Sequence, residues 1–214
     1  MNIVVKQDEK DVTKSIKYTA SCVAIAPRWI LTAAHVVKDS QKRYILHDNK
    51  KIEVEICGYH SDFDDNKFGV NDIALCYLSE NLNLTFYPEL YEDFDEIGKI
   101  SSQAGYGATG TFLTGAIKND RQKRAGSNII SHIEKDLLIC LNTDKKTSME
   151  FMIANGDSGG GLFINQKLAG IHSCVFSEDG RPDSDYGDTS GHTRISIFIA
   201  WIKETIHTIE KLHE

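Results

Sequence analysis

Gly156-Asp157-Ser158-Gly159-Gly160-Gly161-Leu162 is the stretch that decides the reading of this 214-residue chain. Glycines around a serine let the backbone turn sharply and bring its amides close to a bound group. Taken alone, the stretch reads as a loop. Two distant segments change that. Thr32-Ala33-Ala34-His35 follows directly on the apolar run Trp29-Ile30-Leu31, and Asn71-Asp72-Ile73-Ala74-Leu75 opens a second apolar run. A lone histidine after a strand reads as a surface or core residue, and an aspartate opening a strand as a turn or cap. Together, in the order His, Asp, Ser, the three supply a hydroxyl, a base and a carboxylate.

The surroundings are β-rich. Short apolar runs (SCVAIA, WILTAAH, KRYILHD, KIEVEICGY, DIALCYL, NIISHIE, LLICLN, GLFIN, KLAGIHSCV) alternate with turn formers such as Asp48-Asn49, Gly58, Asp64-Asp65-Asn66 and Asn155-Gly156. Many short strands with polar turns predict a barrel or a sandwich. The end differs. From Ser196 onward Phe198, Trp201, Ile202, Ile206, Ile209 and Leu212 recur at helical spacing, opposite Lys203, Glu204, Glu210 and Lys211. That pattern predicts one C-terminal amphipathic helix docked on the strands.

The three segments resemble those of the chymotrypsin/trypsin-like serine endopeptidases, which use the same triad order. The likeness runs from about Ser21 to Glu214. Gly105-Tyr106-Gly107 is similar to the family's glycine–aromatic–glycine turn, Gly170-Ile171-His172-Ser173 to its pocket-lining strand, and Thr193-Arg194-Ile195 leading into Trp201 to its last strand and helix. GYGATGTFLTG, KRAGSNII and YGDTSGHTRIS resemble a bacterial branch. The resemblance implies an all-β fold of two six-stranded antiparallel β-barrels with a C-terminal α-helix. Residues 1–98 would form the barrel with His35 and Asp72, and residues 99–214 the barrel with the nucleophile and the substrate pocket.

It also implies roles. A serine hydroxyl is a weak nucleophile near neutral pH and needs a base to take its proton. Ser158 is the implied nucleophile, His35 the general base and acid, and Asp72 the carboxylate that orients the imidazole. The amides of Gly156 and Ser158 would face the developing oxyanion. Met152, six positions before the nucleophile, would lie at the base of the S1 pocket. An Asp there selects Arg or Lys, so Met152 predicts a P1 residue that is not basic. Val175 and Ser190 would stand at the pocket walls and favour a small or medium apolar P1. Ser173 would bond the triad carboxylate and pair with substrate; otherwise it is a plain strand serine. His172 would contact a P1 Glu or Gln, or else faces inward or away on its strand. The implied partner is a protein or peptide substrate, with no cofactor and no metal.

Some residues depart from the pattern. Val36 replaces the half-cystine beside the histidine, Cys174 stands where Trp is usual, and Gly161 where Pro is common. No basic residue precedes an Ile-Val-Gly-Gly, so the family's pairing of a new N-terminus with the Asp before the nucleophile has only a partial echo in Ile3-Val4. Asp157 then finds another cation, or its loop stays unformed until something binds. A latent protease that needs a partner or processing for activation and a catalytically silent binding homologue are the alternatives, and an activating partner or an inhibitor is the further partner this reading allows. The acidic loop His60–Asn66 lies where some relatives bind calcium and otherwise reads as solvated, as does Arg121-Gln122-Lys123-Arg124.

Composition excludes other classes. Hydrophobic residues make up 41% and charged residues 26%, so the chain can bury a core. The net charge of −7 argues against a general nucleic-acid binder and against binding to an acidic membrane surface. Nothing in it resembles an 18-residue apolar span. Cys22, Cys57, Cys76, Cys140 and Cys174 each lie in a strand-like run. They read as buried thiols of a reducing compartment, or as two disulfides plus one spare. With no basic-then-apolar leader at Met1, this predicts a cytoplasmic or host-injected bacterial protein, or a secreted one whose leader was removed.

Overall fold

The computed structural model describes residues 1–8, 15–40, 42–48, 50–142 and 147–212. Seven strands build the first half: β1 (Asn2–Asp8), β2 (Ser15–Ser21), β3 (Val23–Ala26), β4 (Trp29–Thr32), β5 (Lys42–His47), β6 (Lys50–Tyr59) and β7 (Ala74–Leu78), with the four-residue helix α1 (Ala34–Val37) after β4. They form one antiparallel sheet in the order β2-β1-β5-β6-β7-β4-β3. The expected six-stranded barrel is thus modified. Its two edge strands, β2 and β3, are a single run interrupted only at Cys22, whose N–H donates to the Met1 carbonyl at 2.8 Å. Six runs of chain make the sheet, and the break at Cys22 turns one of them into two strands at opposite edges.

The second half is a closed barrel of β8 (Ile100–Gly105), β11 (Arg124–Glu134), β12 (Leu137–Leu141), β13 (Gly161–Ile164), β14 (Lys167–Phe176) and β15 (Thr189–Arg194), ordered β11-β12-β15-β14-β13-β8. A separate hairpin, β9 (Thr109–Thr111) and β10 (Gly115–Lys118), stands beside it. A 3-10 turn at Ile195–Ile197 leads into α2 (Ile199–Lys211).

Side-chain alternation explains how the halves meet. In β4 and β7, Ile30, Ala74, Cys76 and Leu78 point into the first sheet's own core. Their neighbours Trp29, Leu31, Leu75 and Tyr77 point the other way, onto Leu168 and Ile171 of β14 and Ile195, Phe198, Ile202 and Ile209 of the C-terminal segment. Strands wedged between two cores are buried on both faces, which is why WILT and ALCYL show no polar alternation, with the one hydroxyl of β4, on Thr32, hydrogen-bonded. The helix docks as its periodicity predicts, and Trp29 Nε1 also donates to Glu210 Oε1 at 3.1 Å. Leu212, assigned to the same stripe, lies past the last turn and is 77% exposed.

The cysteines match neither expectation. Cys57 and Cys76 are directly opposite in the β6–β7 register, with Cα atoms 4.2 Å apart, and form a disulfide. Cys22, Cys140 and Cys174 are free and buried. Between the halves, residues 79–99 carry a buried ion pair. Glu96, fully buried, accepts from Arg194 Nε at 2.8 Å and Nη2 at 2.7 Å, and from Ser196 Oγ at 2.9 Å. No helix among the described residues is long and apolar enough to cross a membrane.

Candidate active site

Strand β4 ends at Thr32, whose hydroxyl donates to the Ser21 carbonyl at 3.0 Å. Ala33, in extended conformation, then turns the chain into α1, and the fully buried Ala33 and Ala34 bring His35 to the edge of a cleft. Asp72 lies just before β7 and is 2% exposed. Its Oδ1 accepts the His35 backbone N–H at 2.9 Å, and its Oδ2 lies 2.7 Å from His35 Nδ1. The Ser173 hydroxyl donates to the same Oδ2 at 2.6 Å. Burial pushes the Asp72 carboxyl up, but the hydrogen bonds and charge of His35 and the Ser173 hydroxyl outweigh it and hold the group below the usual carboxylate value.

Ser158 sits between two residues in the left-handed region, Gly156 (φ +99°) and Gly159 (φ +82°). At Gly159 the restriction is double, because a Cβ there would collide with Thr32 and the Ser21 carbonyl. Ser21, which carries no motif, fastens this loop. Its N–H donates to Ser158 O at 2.8 Å, its Oγ donates to Gly156 O at 3.0 Å, and Tyr106 N–H donates to that Oγ at 3.0 Å. Among the described residues, the amides of Gly156 and Ser158 donate to no protein acceptor, and no hydrogen bond joins Ser158 Oγ to His35. Contacts of this kind often close only when substrate binds.

His35, Asp72, Gly156, Ser158, Ser173 and Val175 all line one cleft of about 610 Å³ between the halves. Its far wall is the loop predicted to be solvated, with Phe63, Asp64 and Asp65, and Lys38 of the first half is ion-paired to Asp65. Among the described residues, the clustered carboxylates that could hold a cation are elsewhere. Asp183, Asp185 and Asp188 offer oxygens within 4.8 Å of one another, and burial followed by mutual repulsion raises the pKa of Asp188 and Asp185.

A trypsin family model matches residues 5–202. The chain belongs to the trypsin-like serine protease family. Curated relatives include kallikrein-1E2 of Equus caballus (24% identical, covering 86% of this chain and 78% of that protein) and kallikrein-11 of Homo sapiens (28%, 85% and 70%). Serine protease SSP1 of Scolopendra subspinipes is 24% identical over 84% of this chain and 70% of its own length. Among solved structures, mouse neuropsin, a serine protease, aligns with a TM-score of 0.71 at 20% identity over 95% of this chain and 93% of its own. HL collagenase aligns at 0.73 and 18%, over 96% and 93%. These relatives of known organism are animal proteins and give no support to a bacterial branch.

Three other residues of the trypsin-family pattern, Met152, His172 and Ser190, lie off the cleft. The Met152 side chain is buried (8% exposed), and the cleft wall at that point is Ile153 and Ala154. His172 is fully buried inside the barrel, stacked on Phe151 with Nδ1 2.9 Å from His192 Nδ1, while Ser190 Oγ lies 2.9 Å from His192 Nε2. Burial pushes His172 down to about 3, so the ring is neutral. The β14–β15 register is regular through His172, so alternation puts His172 inside the barrel and Ser173 on the opposite face at Asp72; the bulge comes after His172, before Cys174. Cys174 lines the cleft, but burial pushes its thiol up to about 12 and keeps it protonated.

Asp157 follows neither expected course. Ile3-Val4 lies in β1, paired with β2 and β5. No cation among the described residues pairs with the Asp157 carboxylate, yet the loop is folded. Asp157 Oδ1 accepts Gly107 N–H at 2.7 Å and Oδ2 accepts Ala154 N–H at 2.9 Å. The glycine–aromatic–glycine turn makes room for it, since a Cβ at Gly105 or Gly107 would overlap the carboxylate. Burial raises this group to about 6, against the two amides and the more distant charge of Arg124.

Proposed function

We propose that this protein is an endopeptidase that acylates Ser158 and hydrolyses the acyl-enzyme, with no cofactor. The observation that carries the reading is the Asp72 carboxylate, which accepts the His35 ring and backbone N–H and the Ser173 hydroxyl in the cleft that Ser158 lines. Held through Nδ1, His35 presents Nε2 to take the Ser158 proton during attack and later gives it to the leaving amine. Asp72 stabilises the imidazolium formed in between. The uncommitted amides of Gly156 and Ser158 receive the oxyanion, a contribution of about 3 kcal/mol per donor. Ile153, Ala154 and Val175 favour a small or medium apolar P1 residue, with no counter-charge from Met152. The halves divide near residue 98, in the strandless connector.

A fluorophosphonate probe tests this. Wild type is expected to gain one adduct, located on Ser158 by peptide mass spectrometry, and Ser158→Ala none. Absence of any adduct on folded wild type would overturn the reading and favour a latent enzyme or a binding homologue.

A further inference from the structure

Asp72 belongs to the first half, yet three groups of the second half hold it or the residue before it. Ser173 Oγ of β14 bonds its carboxylate. Thr193 Oγ1 of β15 donates to its carbonyl at 2.9 Å. The third is a residue to which the reaction assigns no role. Asp136, in the turn between β11 and β12, accepts the backbone N–H of Asn71 on Oδ2 at 2.5 Å. Asn71 immediately precedes Asp72 and has φ +53°, a left-handed conformation that asparagine tolerates better than most residues with a side chain.

The Asp136 turn is itself fixed. Arg194 N–H donates to Asp136 O at 2.8 Å, and Leu137 pairs with Thr193 in the β12–β15 register. Asp136 and Thr193 are therefore neighbours on one rigid ladder, and they hold the N–H before Asp72 and the C=O of Asp72. The Asp136 side chain is 7% exposed, and its Oδ1 is buried with no hydrogen-bond partner. A carboxylate kept half satisfied in the interior is expensive for the fold. An apolar turn residue would avoid that cost, but would leave the Asn71 N–H unheld.

We propose that Asp136 is a positioning residue: by holding Asn71 N–H it sets the Asp72–His35 pair in register with the half of the molecule that carries Ser158. This rests on the proposed reaction at Ser158. Since a shift of about 1 Å at a reacting group can cost roughly a hundredfold, loss of this tether should lower turnover rather than substrate binding.

The test compares Asp136→Asn, which keeps an acceptor for Asn71 N–H, with Asp136→Leu and Asp136→Ala, which do not. Fluorophosphonate labelling of Ser158, kcat, KM and the thermal melt are recorded for each. Asp136→Asn is expected within about threefold of wild type. Asp136→Leu, or Asp136→Ala, is expected to label and turn over roughly ten- to a hundredfold more slowly, with KM within about twofold. A wild-type rate in a folded Leu or Ala variant overturns the proposal, and so does an equal loss in all three. Failure of both the Leu and Ala variants to fold also overturns it, because Asp136 would then hold the fold rather than the site. If wild type itself gains no adduct, the reaction at Ser158 is what fails.

Discussion

Replacing Gly107 by alanine isolates the link between a buried carboxylate and the loop proposed to receive the oxyanion. Gly107 is outside the left-handed region, so its backbone accepts a side chain. The objection is contact: a Cβ would lie 2.5 Å from Asp157 Cγ and 2.8 Å from Oδ1. Asp157 cannot retreat in place, since Gly107 and Ala154 amides hold its oxygens at 2.7 and 2.9 Å and Gly105 backs it closely. Turning the carboxylate away breaks two hydrogen bonds to a charged group, each worth about 1.5–3 kcal/mol. Asp157 lies between Gly156 and Ser158, so the same movement misaligns their amides. Losing one oxyanion donor costs about 3–4 kcal/mol in the transition state, or roughly 10²- to 10³-fold in kcat. Steady-state kinetics on a peptide ester should show this loss with KM little changed and a thermal midpoint lowered by several degrees. Gly58→Ala, whose Cβ meets nothing within 4 Å, is the matched control and should behave as wild type. A folded Gly107→Ala enzyme within threefold of wild-type kcat would refute the coupling.

Asp72→Asn exchanges a carboxylate accepting three donors for an amide whose NH2 can donate to His35 Nδ1, which fixes the tautomer with the proton on Nε2 and leaves no base for Ser158; kcat should fall about 10⁴-fold with the melt nearly unchanged. A loss below tenfold would contradict the assignment of Asp72. Asp157, raised from an ordinary 3.8 to about 6, favours folding when protonated, so its contribution is full below pH 3.8 and lost as pH rises through 6. Urea titrations should show wild type losing about 3 kcal/mol relative to Asp157→Asn between pH 3.5 and pH 7; parallel profiles would refute the shift. Glu96→Ala leaves Arg194, 11% exposed, without its bidentate partner and should cost about 3–5 kcal/mol in the same assay; a cost below about 1 kcal/mol would show that the pair is not coupled to folding.

His35, Asp72 and Ser158 stand out in the chain because attack on a carbonyl needs specific functional groups in short, recognisable settings, and the fold brings these three to one cleft. The C-terminal helix is equally legible, since its apolar period is set by one buried face. What escaped the sequence depends on register or on backbone groups. The Cys57–Cys76 bond follows from which residues of β6 and β7 lie opposite each other. The inward turn of His172 follows from the register of β14 on β15, where it pairs with His192. Asp157 is held by amides of Gly107 and Ala154, and every residue but proline has such an amide. Ser21 and Asp136 act through backbone partners distant in the chain, so neither is marked by a motif.

The most direct test of the central claim is a peptide-library digest read by mass spectrometry, with Ser158→Ala as control. The account predicts cleavage by wild type alone, with small or medium apolar residues at P1 and no enrichment of Arg or Lys. Equal cleavage by Ser158→Ala, or none by folded wild type, would contradict it.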